Sequence, residues 1–155
     1  MQGTEERLAY WPNGNVQSRM EARRNLQGEV IRDGRAVLFR EDGALSARGQ
    51  FVDDLEQGRW TWYDPEGRPR AYCDYVDGVG EYKDVFPDGR TLREGQVVGL
   101  RRVGHWREYY PSGRLKLEGG YVDDQQHGEW TAYTDEDPPR VNRARFDHGQ
   151  LVERD

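Results

Sequence analysis

Five glycines, Gly34, Gly58, Gly80, Gly104 and Gly128, recur at spacings of 24, 22, 24 and 24 residues. Nine residues after each comes the last position of a turn: Gly43, Gly67, Gly89 and Gly113, with Asp137 in the fifth copy. A period of this length divides a chain into equivalent small units, and such units bury their apolar faces only by stacking on their neighbours. It argues against one compact body around an enclosed pocket, and it moves the expectation from catalysis toward binding.

Further columns align on the same frame. Ala36, Trp60, Tyr82, Trp106 and Trp130 stand two residues after the leading glycine, and Tyr10, Phe39, Tyr63, Val85, Tyr109 and Tyr133 four before the turn glycine. The turns read Trp-Pro-Asn-Gly at 11–14, Asp-Pro-Glu-Gly at 64–67, Phe-Pro-Asp-Gly at 86–89 and Tyr-Pro-Ser-Gly at 110–113. Proline presets the first corner of such a turn and glycine accepts the positive φ that follows. Six residues past the turn come Met20, Gly49, Cys73, Gly95 and Gly119, and eight past it Ala22, Phe51, Tyr75, Val97 and Tyr121.

Each copy reads as strand, tight turn, strand. Leu45, Ala47, Gly49 and Phe51 alternate onto one face, as do Leu115, Leu117, Gly119 and Tyr121. Trp106 and Tyr109 are three apart, so they face opposite sides unless a bulge intervenes. The expected fold is all-β: about six antiparallel β-hairpins in an elongated, twisted single-layer sheet, forming one domain over 1–155. The hairpin units are 7–33, 34–57, 58–79, 80–103, 104–127 and 128–155. Gly34 follows Ala22 by twelve positions, and Arg19, Glu21, Arg23 and Arg24 cluster there, which predicts a loop or short helical insert near 17–30. The last copy degrades to Asp137-Pro138-Pro139, as terminal repeats do when they cap open strand edges.

Hydrophobic residues make up only 34% of the chain, but aromatics reach 12%, which argues for a thin folded sheet rather than disorder. No apolar run is long enough to span a bilayer, and residues 1–14 show no secretory or lipidation signal, so a cytoplasmic location is expected. Cys73 shares a column with glycines and reads as a buried small residue. The net charge of −6 is uneven: between Tyr121 and Asp137 lie six acids and no lysine or arginine. Such a stretch repels nucleic acid and anionic membrane and attracts a basic partner. Loop-rich β arrays carry solvated acids in any case, and that reading is the first expectation for this stretch.

The residues offer little for catalysis. His105, His127 and His148 each adjoin a glycine, and no His-x-x-x-His, Glu-x-x-His or paired-cysteine spacing exists, so no metal or cofactor is expected. Asp53-Asp54 and Asp123-Asp124 occupy equivalent positions, which repeat duplication explains better than an acid–base or calcium pair. The chain is expected not to be an enzyme. The candidate partner-contact residues are Trp62 and Tyr110, which lie outside the most regular columns, together with Asp123, Asp124, Asp135, Glu136 and Asp137. Trp and Tyr dominate interface hot spots, but these two also fit stacking between hairpins.

Residues 104–121, Gly-His-Trp-Arg-Glu-Tyr-Tyr-Pro-Ser-Gly-Arg-Leu-Lys-Leu-Glu-Gly-Gly-Tyr, resemble the MORN-variant repeat of the bacterial YwqK-family antitoxins. Residues 58–75 and 80–97 resemble it more loosely. The resemblance implies a small cytoplasmic bacterial antitoxin, or an immunity protein, that neutralises a cognate protein toxin or effector by binding and occluding it. A basic toxin would suit the acidic stretch, and the neutraliser is expected as a monomer or an edge-strand dimer. Two other classes remain open: a generic MORN-type scaffold or protein/lipid interaction module, and a carbohydrate or small-ligand binder using its tryptophans.

Overall fold

The computed structural model of the protein describes residues 3–155 and contains strands and turns, with no helix among those residues. Its chain forms two compact units, Met1–Val79 and Gly80–Asp155. The first holds β1 (Glu5–Tyr10), β2 (Val16–Arg24), β3 (Val30–Phe39), β4 (Leu45–Val52), β5 (Leu55–Tyr63) and β6 (Pro69–Val76). Strand β7 (Val79–Val85) lies in the second apart from its first residue, followed by β8 (Thr91–Val98), β9 (Arg101–Tyr109), β10 (Leu115–Val122), β11 (Gln125–Tyr133), β12 (Val141–Asp147) and β13 (Gln150–Arg154). Within each unit the strands pair antiparallel with their chain neighbours. The hairpin array expected from the period is therefore present.

The turns follow the Pro-x-Gly reading. Gly67 N donates to Asp64 O at 2.9 Å and Gly113 N to Tyr110 O at 2.8 Å, with both glycines at positive φ. In the last copy the turn lengthens, Thr134 N reaching Arg140 O at 3.0 Å, around a cis Asp137–Pro138 bond.

The expected helical insert near 17–30 is a correction: those residues extend β2 and β3 into a longer hairpin. Arg19, Glu21 and Arg23 alternate along β2, and Ala22, Arg23 and Arg24 pair with Arg32, Ile31 and Val30. A new tight turn ends the extension, where the Asn25 side chain accepts from Gln27 N at 3.0 Å and Glu29 N at 2.9 Å. Asparagine closing such a turn through its own side chain makes a strand tip of what the charges suggested was a helix.

Four of the leading glycines, Gly34, Gly58, Gly104 and Gly128, sit in bulges. In β11, Gly128 and Glu129 lie between the pairs Gly119↔Trp130 and Gly120↔His127, so they have no single opposite number on β10. Gly58, Gly104 and Gly128 have φ of 71°, 69° and 82°. A bulge that needs the left-handed region selects glycine, which accounts for the glycine at these four positions of the period.

Register places most of the buried side chains on one face. In the first unit Ala36, Ala47, Phe51, Trp60, Ala71, Cys73 and Tyr75 are buried on it. In the second unit Val97, Trp106 and Trp130 are buried on the equivalent face. Tyr109 and Tyr133 lie on the other side with Arg107 and Glu118, so aromatics do occupy both faces.

Candidate interaction surface

Three devices repeat. The first is a tryptophan laid on a glycine. A Cβ added at Gly49, Gly95 or Gly119 would overlap the indole of Trp60, Trp106 or Trp130 respectively. Each indole N–H donates at 3.0 Å to the carbonyl following that glycine, on Gln50, Gln96 and Gly120. The bulge opposite the glycine leaves that carbonyl in reach, and a buried indole N–H needs a partner. Phe51 and Tyr121 close the slots edge-on, 5.1 Å from Trp60 and Trp130.

The second device is an arginine clamp on the Asp-Asp turns. Arg32 N and Arg102 N donate to Asp54 and Asp124 carboxylates at 3.2 Å, and both guanidinium groups also bond those carboxylates. The same guanidinium groups lie 4.1 Å over Phe51 and 4.2 Å over Tyr121. Hydrogen bonds from Arg102 hold the Asp124 carboxyl below the usual carboxylate range, and Arg32 does the same for Asp54. Asp53, Asp54, Asp123 and Asp124 all have positive φ, so these are two-residue hairpin turns.

The third device joins a turn to the next hairpin. Trp11 Nε1 donates to Phe39 O at 3.1 Å, Arg40 to Tyr63 O at 2.6 Å and the Tyr110 hydroxyl to Tyr133 O at 2.7 Å. Tyr110 thus has an architectural bond as well as a ring that faces Lys116 Nζ at 5.6 Å.

The candidate contact residues are dispersed. Trp62 is half-buried in the first unit between Ala47 and Ala71, its ring 6.2 Å from that of Trp60. The acidic stretch does not make one patch. Asp123 and Asp124 lie at one end of β11 and Asp135, Glu136 and Asp137 beyond the other, with the nine-residue strand between them, about 30 Å at strand rise. Arginines from elsewhere in the unit also reach it: Arg102 pairs with Asp124, Arg143 with Glu129, Arg114 with Asp135 and Arg140 with Glu136. Asp135 also accepts from the Ser112 hydroxyl at 2.7 Å, and Glu136 from Thr134 at 3.2 Å.

Residues that the repeat columns did not single out also converge. On the face opposite Trp130, Glu118 accepts from Tyr133 and meets His105, each at 2.8 Å, and the Tyr133 bond foremost lowers its carboxyl below the usual range. On the tryptophan face a cleft of about 370 Å³ is lined by Leu117, Gln126, Trp130, Ala132, Asn142 and Phe146. Among the described residues one cluster, His127, Asp147 and His148, brings potential metal-ligand atoms within 4.8 Å of one another.

Residues 102–123 match the MORN repeat variant family. The chain thus carries a MORN-variant repeat spanning β9 and β10, with Trp106, Gly119 and Tyr121 inside it, and this supports a repeat scaffold or interaction module. No curated protein matches the chain. A solved structure described as the GtfA/B complex bound to UDP and GlcNAc aligns with 70% of this chain at 15% identity and a TM-score of 0.28. The chain spans 22% of that protein's length. No helix among the described residues is long and apolar enough to cross a membrane.

Proposed function

We propose that the chain acts by binding rather than catalysis, and that it neutralises a protein toxin or effector by covering it, in the cytoplasm of a bacterium. The observation that carries the binding reading is Trp62. Its column otherwise holds Leu38, Asp84, Glu108 and Ala132, so no repeat-wide packing rule calls for an indole there, and the ring stays half-buried. The recurrent residues are occupied in joining hairpins; specificity then falls to non-recurrent ones, and a rigid amphipathic ring is the usual anchor of an interface. The resemblance of residues 104–121 to YwqK-family antitoxins supports the choice of a toxin as partner.

A generic interaction scaffold is the second reading, favoured by the repeat match at 102–123. One experiment separates the two. The chain is co-expressed with a candidate effector protein, and growth and affinity are measured. Neutralisation requires rescue of growth by the wild type and a Trp62→Ala loss of about 2 kcal/mol or more in binding. Binding without rescue leaves only the scaffold, and absence of binding removes the effector as partner.

A further inference from the structure

We propose that His127, Asp147 and His148 form a binding site for a divalent transition metal, of the zinc, nickel or copper class, at the final hairpin. His127 stands on β11, Asp147 ends β12, and His148 begins the two-residue turn into β13. Asp147 Oδ1 lies 2.6 Å from His148 Nδ1 and 3.6 Å from His127 Nδ1, and the imidazole centroids are 4.7 Å apart. Ligand atoms about 2.1 Å from a tetrahedral ion stand about 3.4 Å from one another, so small side-chain adjustments would place all three around one ion. The site is open, which leaves the remaining positions to water. Two imidazoles and one carboxylate suit a borderline cation and not calcium or magnesium, which take oxygen ligands.

The repeat gives an independent reason. The residue before each two-residue turn is Val52, Val76, Val98 and Val122 in the other copies, and Asp147 here. The first turn position is Asp53, Asp77, Gly99 and Asp123 elsewhere, and His148 here. The acceptor that caps this turn is Asp33 for Asp53 N and Gln57 for Asp77 N, each at 2.9 Å, and His127 for His148 N at 3.3 Å. Where the fold makes these positions adjacent, Asp147 replaces an otherwise constant valine and His148 replaces aspartate or glycine, while His127 fills a cap position that elsewhere holds Asp33, Gln57 and Val103. A turn needs only an acceptor at the cap and a residue tolerant of positive φ, so its architecture does not ask for two imidazoles. An ion held there would tie the final hairpin to β11.

The repeat also supplies variants that keep the turn. His127→Gln restores the capping residue found at 57, and His148→Asn suits the left-handed φ of 46°. The full chain is titrated with zinc by calorimetry and with cobalt by visible absorption, and melting is followed with and without zinc. The wild type should bind one zinc ion, show cobalt d–d bands and melt higher with zinc. Each variant should bind more weakly by more than about tenfold, since loss even of an outer-shell partner costs that much, and should lose the zinc-dependent rise in Tm. His105→Gln, at the Glu118 cluster, should bind as the wild type does. No wild-type binding at millimolar zinc, or an equal loss in His105→Gln, overturns the proposal.

Discussion

The five-membered ring of the Trp130 indole lies directly over Gly119, so closely that no β-carbon fits between them. Alanine at 119 must therefore displace an indole whose N–H is also fixed on Gly120 O. Overpacking of this kind costs about 1–3 kcal/mol. Urea denaturation of Gly119→Ala should show a loss in or above that range, and the double variant with Trp130→Ala should lose less than the sum of the single changes. Additive losses would mean that the two residues do not share a slot.

Tyr110→Phe removes one hydroxyl and leaves Tyr133 O without that donor. A net loss of about 1 kcal/mol in unfolding free energy is expected. If the ring is also a partner contact, Tyr110→Ala should weaken the complex while Tyr110→Phe leaves it unchanged, which titration calorimetry of the pair resolves.

The Glu118 carboxyl is held below its usual range first by the Tyr133 hydroxyl and then by His105. A depressed folded-state pKa stabilises the fold above the unfolded value, about 4.3. That contribution is lost as pH falls from there through the folded value. Melting temperature against pH should drop on this acid limb, and Glu118→Gln should flatten the drop while lowering Tm at neutral pH.

Reversing the charge at Asp123, Asp124, Asp135 and Asp137 tests electrostatic steering toward a basic partner. Association should slow and its salt dependence weaken. Because the acids form two groups at opposite ends of β11, reversal at 123 and 124 alone should account for part of the effect. Stopped-flow kinetics at low and high salt would show unchanged rates if the acids are only solvated surface.

Much of the fold is legible in the sequence because its constraints are local. Proline and glycine at fixed offsets set the turns, and the alternation of Leu115, Leu117 and Gly119 sets the face. The pairing of glycine with tryptophan was harder to read, although both columns are visible, because only register across a bulge shows that Gly49 meets Trp60 and that Met20 stands opposite Ala36. The segment near 17–30 read as an insert because extra length and clustered charge do not distinguish a helix from an extended hairpin; Asn25 made the difference. The acidic stretch was misleading in another way. Its arginine partners at 102, 114 and 143 lie outside it in the chain, and β11 carries its two ends apart.

Each indole N–H that reaches back to the hairpin before it makes the junction between those two hairpins self-similar. A tandem duplication in phase with the period would bring its own glycine slot, its own bulge and its own acceptor. Such a gene can lengthen or shorten by whole hairpins without redesigning a core, and copy number becomes a heritable variable that selection can adjust to the size of whatever surface must be met.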